Sequence, residues 1–173
     1  MVYATGFPAV VSDGARVIIL GSMPGKLSLQ QERYYAHPRN AFWPLIGGML
    51  GFDTDTPYRQ KLATLIRHRI ALWDVLQSCY RPGSLDTSIQ GDSGVVNDFG
   101  TFFRRHHGIR AVFFNGATAE RLYRKHVMPS LSAEQNTVFL HRLPSTSPAN
   151  AHLTLQEKLH QWRLIRDYIN GEE

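Results

Sequence analysis

The chain has 173 residues, 43% of them hydrophobic and 19% charged, which suits one compact domain with a core and excludes intrinsic disorder. Nineteen Lys and Arg against 14 Asp and Glu give a formal charge of +5, which permits nucleic-acid, phosphate or anionic-lipid partners and selects none of them. The lone Cys79 excludes an internal disulfide, a multi-cysteine zinc site and an iron–sulfur cluster held by this chain. No apolar run approaches the roughly 20 residues of a membrane span. Met1–Pro8 lacks a basic stretch followed by an apolar one, so a soluble, cytoplasmic protein without membrane contact is expected.

In chain order, four short apolar runs read as strands: Arg16–Gly21 (RVIILG), Arg69–Asp74 (RIALWD), Arg110–Asn115 (RAVFFN) and Thr137–Leu143 (TVFLHRL). Helical patterns lie between and after them, at Ala41–Leu50, Pro57–Arg67, Val95–His107, Gly116–Val127 and Thr154–Ile169. The last opens with the capping-box pair Thr154 and Glu157. This alternation predicts a parallel sheet covered on both faces, in one domain over residues 1–173. Right-handed crossovers then collect all strand C-termini on one edge, where open α/β sheets bind ligands. The segments beyond those ends are Ser22–Gly25, Asp74–Ser88, Asn115–Gly116 and Pro144–Asn150.

Each segment carries a chemical reading beside a plainer one. GSMPG (Gly21–Gly25) is a tight turn that brings backbone N–H groups to the sheet edge, or an ordinary strand exit; it lacks the Lys-Ser/Thr ending of a phosphate loop. YYAHPRNAFW (Tyr34–Trp43) surrounds His37, Arg39 and Asn40 with aromatic rings suited to a nucleobase. In the plainer reading Asn40 caps the following helix, while Phe42 and Trp43 are core. Asn115 points an amide at the ligand edge or caps a turn. Asp74 is a base or a structural cap. LPSTSPAN (Leu143–Asn150) is a stiff, hydroxyl-rich loop able to hold phosphates, or a lead-in to the last helix. The Arg and His clusters at 67–69, 104–107 and 121–126 read as solvated helix faces. Lys26, Arg33, Arg39, Arg81 and Arg142 are better placed for phosphates. The eight His show no metal-ligand spacing, so no metal and no cofactor is expected.

The order of GSMPG, YYAHPRNAFW, FFNG (Phe113–Gly116) and LPSTSPAN resembles the uracil-DNA glycosylase superfamily over roughly Arg16–Ile169. The likeness is to its hypoxanthine branch first and its mismatch-specific uracil branch next. It implies a three-layer α/β/α sandwich with a central four-stranded parallel sheet, and metal-free excision of a deaminated base from DNA by a monomer. Met23 stands where mismatch-specific relatives carry a catalytic Asn, which favours the hypoxanthine branch and makes Asn40 the expected catalytic residue. The lone Cys79 argues against the iron–sulfur branches.

On this resemblance, Ser22, Met23, Pro24, Gly25, Tyr35, Phe42 and Asn115 are expected to bind the base. Phe42 would stack on it, Tyr35 would shape the wall and Asn115 would read an edge. Backbone N–H groups near Met23 would stabilise charge on the leaving base, and Asn40 would orient the attacking water. Lys26, Arg39, Ser145, Thr146 and Ser147 are expected to contact the DNA. The motifs contain no Lys for a Schiff-base lyase. Uracil excision, a non-catalytic nucleic-acid-binding domain and a nucleoside hydrolase are the competing readings.

Overall fold

The computed structural model describes residues 3–83, 85 and 94–170. Its elements run β1 (Tyr3–Thr5), β2 (Val17–Gly21), α1 (Lys26–Gln31), α2 (Phe42–Leu50), α3 (Tyr58–Arg67), β3 (Ile70–Asp74), β4 (Leu76–Tyr80) and β5 (Val95–Val96). Then come α4 (Phe99–Arg105), β6 (Ala111–Asn115), α5 (Ala117–Leu122), β7 (Phe139–Leu143), α6 (Leu155–Trp162) and α7 (Leu164–Ile169).

The four expected strands form one sheet in the order β3-β2-β6-β7, with every neighbouring pair parallel. Because side chains alternate along a strand, the sheet feeds two cores. Val17, Ile19, Ala111 and Phe113 join Phe42, Ile46, Leu65, Trp162 and Ile165 from α2, α3, α6 and α7. Ile18, Leu20, Val112 and Phe114 join Phe99, Phe102, Phe103 and Leu122 from α4 and α5. The result is the expected three-layer α/β/α arrangement. Among the described residues, no helix is long and apolar enough to cross a membrane.

Three features depart from the sequence-based expectations. A second sheet, β1-β4-β5, is antiparallel and adds Ala4, Leu76 and Cys79 to the α4–α5 side of the core. Helix α1 follows the GSMPG turn directly and was not expected. Val95–Val96 pair as a strand with β4 instead of opening a helix; α4 begins three residues later, where the Asp98 carboxylate accepts from Thr101 N at 3.0 Å. Two adjacent β-branched residues favour a strand, and the cap at Asp98 sets the helix start.

The capping box at Thr154 forms as read: Thr154 Oγ1 accepts from Glu157 N at 3.1 Å and Glu157 accepts from Thr154 N at 2.6 Å. Thr154→Ala is expected to cost about 1 kcal/mol, lowering Tm by roughly 2–4 °C, measured by thermal unfolding.

Candidate active site

The first strand end is built by backbone stitching. Gly21 and Asp74 are register partners at the ends of β2 and β3. Val75 N donates to Gly21 O at 2.9 Å and Leu76 N to Ser22 O at 3.0 Å, while Asn97 Nδ2 donates to Asp74 O at 2.8 Å. Arg81, buried, donates to the Pro24 carbonyl and braces the turn from behind. The Met23 side chain packs in the core, so its side of the cavity is formed largely by backbone. Position 21 requires glycine: a Cβ there would lie 2.4 Å from Asp74 Oδ1 and 3.0 Å from the Tyr35 hydroxyl.

The aromatic segment is anchored at Tyr34. Its N–H donates to the Tyr58 hydroxyl at 2.9 Å, its hydroxyl to Pro8 O at 3.0 Å, and its carbonyl accepts from Trp43 Nε1 at 2.9 Å. Burial first, then the negative charge of Asp74, holds the Tyr34 phenol well above its ordinary pKa, so it stays a neutral donor. Tyr35 follows with φ +54°, a left-handed backbone costing about 1–2 kcal/mol in a non-glycine residue. That cost is offset by its ring, which stacks on Phe42 at 4.0 Å between centroids and 19° between planes, a contact worth about 0.5–1.5 kcal/mol. Asn40 Oδ1 accepts from Phe42 N at 2.9 Å, which fixes the orientation of the amide and leaves the oxygen a second lone pair.

The third and fourth segments are joined by Thr146. Asn115 Nδ2 donates to Thr146 Oγ1 and Asn115 Oδ1 accepts from Thr146 N, both at 2.9 Å, while Thr146 O accepts from Ala41 N at 2.9 Å. One buried residue therefore ties the end of β6 to the entry of α2. The loop is further held by Trp162 Nε1 to Pro144 O at 3.0 Å and by Lys158 Nζ to Asn150 O at 2.7 Å. Gly116, at φ +99°, allows the close approach, since a Cβ would meet that of Ser145 at 3.0 Å.

These segments enclose one cavity of about 900 Å³, large enough for a nucleoside-sized ligand. Ser22, Met23, Pro24, Gly25, Lys26, Tyr35, Arg39, Asn40, Asn115, Ser145, Thr146 and Ser147 all line it, so twelve of the thirteen expected site residues converge. Phe42 does not: it is fully buried, with Tyr35 stacked on one face and Trp43 and Trp162 edge-on. It backs the wall that Tyr35 presents, and the expected direct stacking on a base is corrected accordingly. Two other expectations change. The Asn115 amide holds Thr146 at both its oxygen and its nitrogen, which gives it a clamping role beside the expected edge reading. Thr146, 1% exposed, is sealed away from phosphates.

Among the basic residues, Lys26 and Arg39 are exposed at the cavity. Arg33 instead lies 5.5 Å over the Tyr58 ring, Arg142 pairs with Glu120 at 3.4 Å, and Arg81 is buried. Of the expected Asp74–Ser88 segment, Leu85 lines the cavity, while residue 84 and residues 86–88 lie outside the described residues. His37, in the Tyr34–Trp43 motif, and Asn150, at the end of Leu143–Asn150, also line the cavity. Among the described residues, no group of three or more His, Cys, Asp or Glu is placed to hold a metal ion.

Residues 8–168 match the family model of the uracil DNA glycosylase superfamily. The chain belongs to that superfamily. Relatives named hypoxanthine DNA glycosylase share 38% identity: one from Methanosarcina acetivorans over 92% of this chain and 96% of its own length, and one from Methanosarcina barkeri over 64% and 70%. A candidate uracil DNA glycosylase from Methanosarcina acetivorans, solved by solution NMR, superposes with a TM-score of 0.74 at 32% identity, covering 95% of this chain and 99% of that one.

Within this superfamily member the Thr146 bridge has a measurable weight. Asn115→Ala leaves the buried Thr146 N–H without its acceptor, and is expected to lower stability by about 1–3 kcal/mol in denaturant unfolding. Amide exchange should accelerate at Thr146 and Ala41, while the amides of β2 keep their protection.

Proposed function

We propose that the protein is a monofunctional DNA glycosylase that flips a deaminated base, hypoxanthine above all, out of DNA and hydrolyses its N-glycosidic bond. The observation that carries this reading is the Asn40 amide, held at the rim of a nucleoside-sized cavity by the Phe42 N–H. The names of the relatives supply the choice of base.

Extrusion costs a few kcal/mol and is easier for a mispaired base, so the enzyme gains selectivity before chemistry begins. The base enters beside the Tyr35 ring, whose position is backed by Phe42. As the bond from C1′ to the base breaks, its electron pair stays on the base and positive charge develops on the sugar. Water held by the free lone pair of Asn40 Oδ1 attacks C1′, its oxygen bonds to carbon, and the released proton ends on the departing base. An amide is a weak base, but a cationic sugar needs a positioned nucleophile more than a strongly activated one. Backbone N–H groups of the Ser22–Gly25 turn face the charge developing on the base.

Phosphate contacts fall to exposed Lys26 and Arg39 and to the hydroxyls of Ser145 and Ser147. Each of these two serines already accepts a backbone N–H, at 3.1 and 3.2 Å, and keeps its own O–H to donate. Product is an intact strand with an abasic site. In this reading the protein acts as a monomer.

The test is single-turnover release of free base from duplexes carrying hypoxanthine, xanthine or uracil. Wild type should release hypoxanthine fastest and leave alkali-labile sites. Asn40→Ala should lose about 100-fold or more in rate and about 1 kcal/mol in stability through the lost hydrogen bond from the Phe42 N–H. Asn40→Asp, which keeps the acceptor for Phe42 N–H, should melt close to wild type. Full activity in Asn40→Ala would leave this residue only its structural bond to the Phe42 N–H.

A further inference from the structure

The mechanism above leaves unused one buried ionisable group in the cavity. Asp74 is 4% exposed, lines the cavity, and sits where β3 ends beside Gly21. Its backbone is held on both sides, by Asn97 Nδ2 on its carbonyl and by Val75 N on Gly21 O, so the carboxylate has a defined origin. The missing side chain at Gly21 makes room for it and for the Tyr35 hydroxyl: both stand within 3.0 Å of where a Cβ would be. Burying a carboxylate costs several kcal/mol, which a merely space-filling residue would avoid.

Resting on the glycosylase reading, we propose that Asp74 is the specificity-determining residue that reads ring position 1 of the extruded purine. An ionised carboxylate only accepts hydrogen bonds. Hypoxanthine carries an N1–H and donates to it. Adenine, its parent and by far the commoner base, carries a lone pair at N1 and meets the carboxylate with repulsion. A site built on such a buried acceptor rejects the base that lacks the hydrogen more strongly than any shape difference between the two would allow. Guanine shares the N1–H, so Asp74 sorts hypoxanthine from adenine and not from guanine.

The test compares single-turnover release of hypoxanthine and of adenine, which has no N1–H, from duplexes otherwise identical by wild type and Asp74→Ala. Differences in extrusion between the two bases cancel when the ratios of the two proteins are compared. Wild type should favour hypoxanthine by about 100-fold or more, and Asp74→Ala should reduce that ratio by at least about tenfold. A purely structural Asp74 would slow both reactions together, and an unchanged ratio overturns the assignment.

Should Asp74→Ala fail to fold, Asp74→Asn decides. Its amide still accepts from N1–H and also offers a donor to adenine N1, so a hypoxanthine-to-adenine ratio down by at least about tenfold at unchanged Tm supports the proposal, and an unchanged ratio overturns it. Wild type that releases no hypoxanthine overturns the glycosylase reading itself. Wild type that releases it with an unaltered ratio in the variant overturns the role of Asp74 alone.

Discussion

Thr146 is the residue on which the geometry of the site depends. Through Asn115 it is fixed to the end of β6, and through Ala41 to the start of α2. These are three direct hydrogen bonds made in a buried setting, where an unmade one costs about 1–3 kcal/mol. Asn40, one residue before Ala41, therefore inherits its position from the sheet rather than from a flexible loop. A hydrolytic enzyme whose nucleophile is only weakly activated has little beyond position to work with, so rigidity here is a catalytic property.

The opposite side of the cavity is assembled by close approach. At Gly21 the absence of a side chain lets the Asp74 carboxylate and the Tyr35 hydroxyl draw in, and at Gly116 it lets Ser145 do so. The left-handed backbone of Tyr35 is tolerated because Tyr34 is anchored at three atoms and Phe42 stacks on the Tyr35 ring. Aromatic residues that read in sequence as a base-binding box thus divide into two ranks. Tyr35 faces the cavity, while Tyr34, Phe42 and Trp43 hold it there.

Much of this was legible in the sequence because parallel strands buried on both faces are nearly uninterrupted apolar runs, as β2, β3 and β6 are, while the half-exposed edge strand β7 (FLHRL) keeps enough apolar residues to read as a strand. Motifs placed just past such strands converge by topology alone, which is why twelve assigned residues line one cavity. The second sheet was not legible. Tyr3–Thr5 and Val95–Val96 are too short to show a period, and Leu76–Tyr80 is defined by pairing with them. Nor were the roles of Phe42, Asn115 and Thr146, because sequence shows which groups reach an edge and not which of them bind each other. The same holds for basic residues: Arg33, Arg81 and Arg142 were placed by loop position, and each is taken by a protein partner.

Charge has a correspondingly modest part in the account. The excess of +5 is spread over the chain; at the cavity the exposed cations are Lys26 and Arg39, while Asp74, which also lines it, is buried. The most direct measurement is a crystal structure of the protein on a duplex carrying a 2′-fluorinated hypoxanthine nucleotide, whose glycosidic bond resists cleavage. The account requires the base inside the cavity beside Tyr35, N1 within hydrogen-bond distance of Asp74, C1′ one water from Asn40, and the Thr146 bridge intact. A base left stacked in the duplex, or bound with its N1 edge turned away from Asp74, would contradict it.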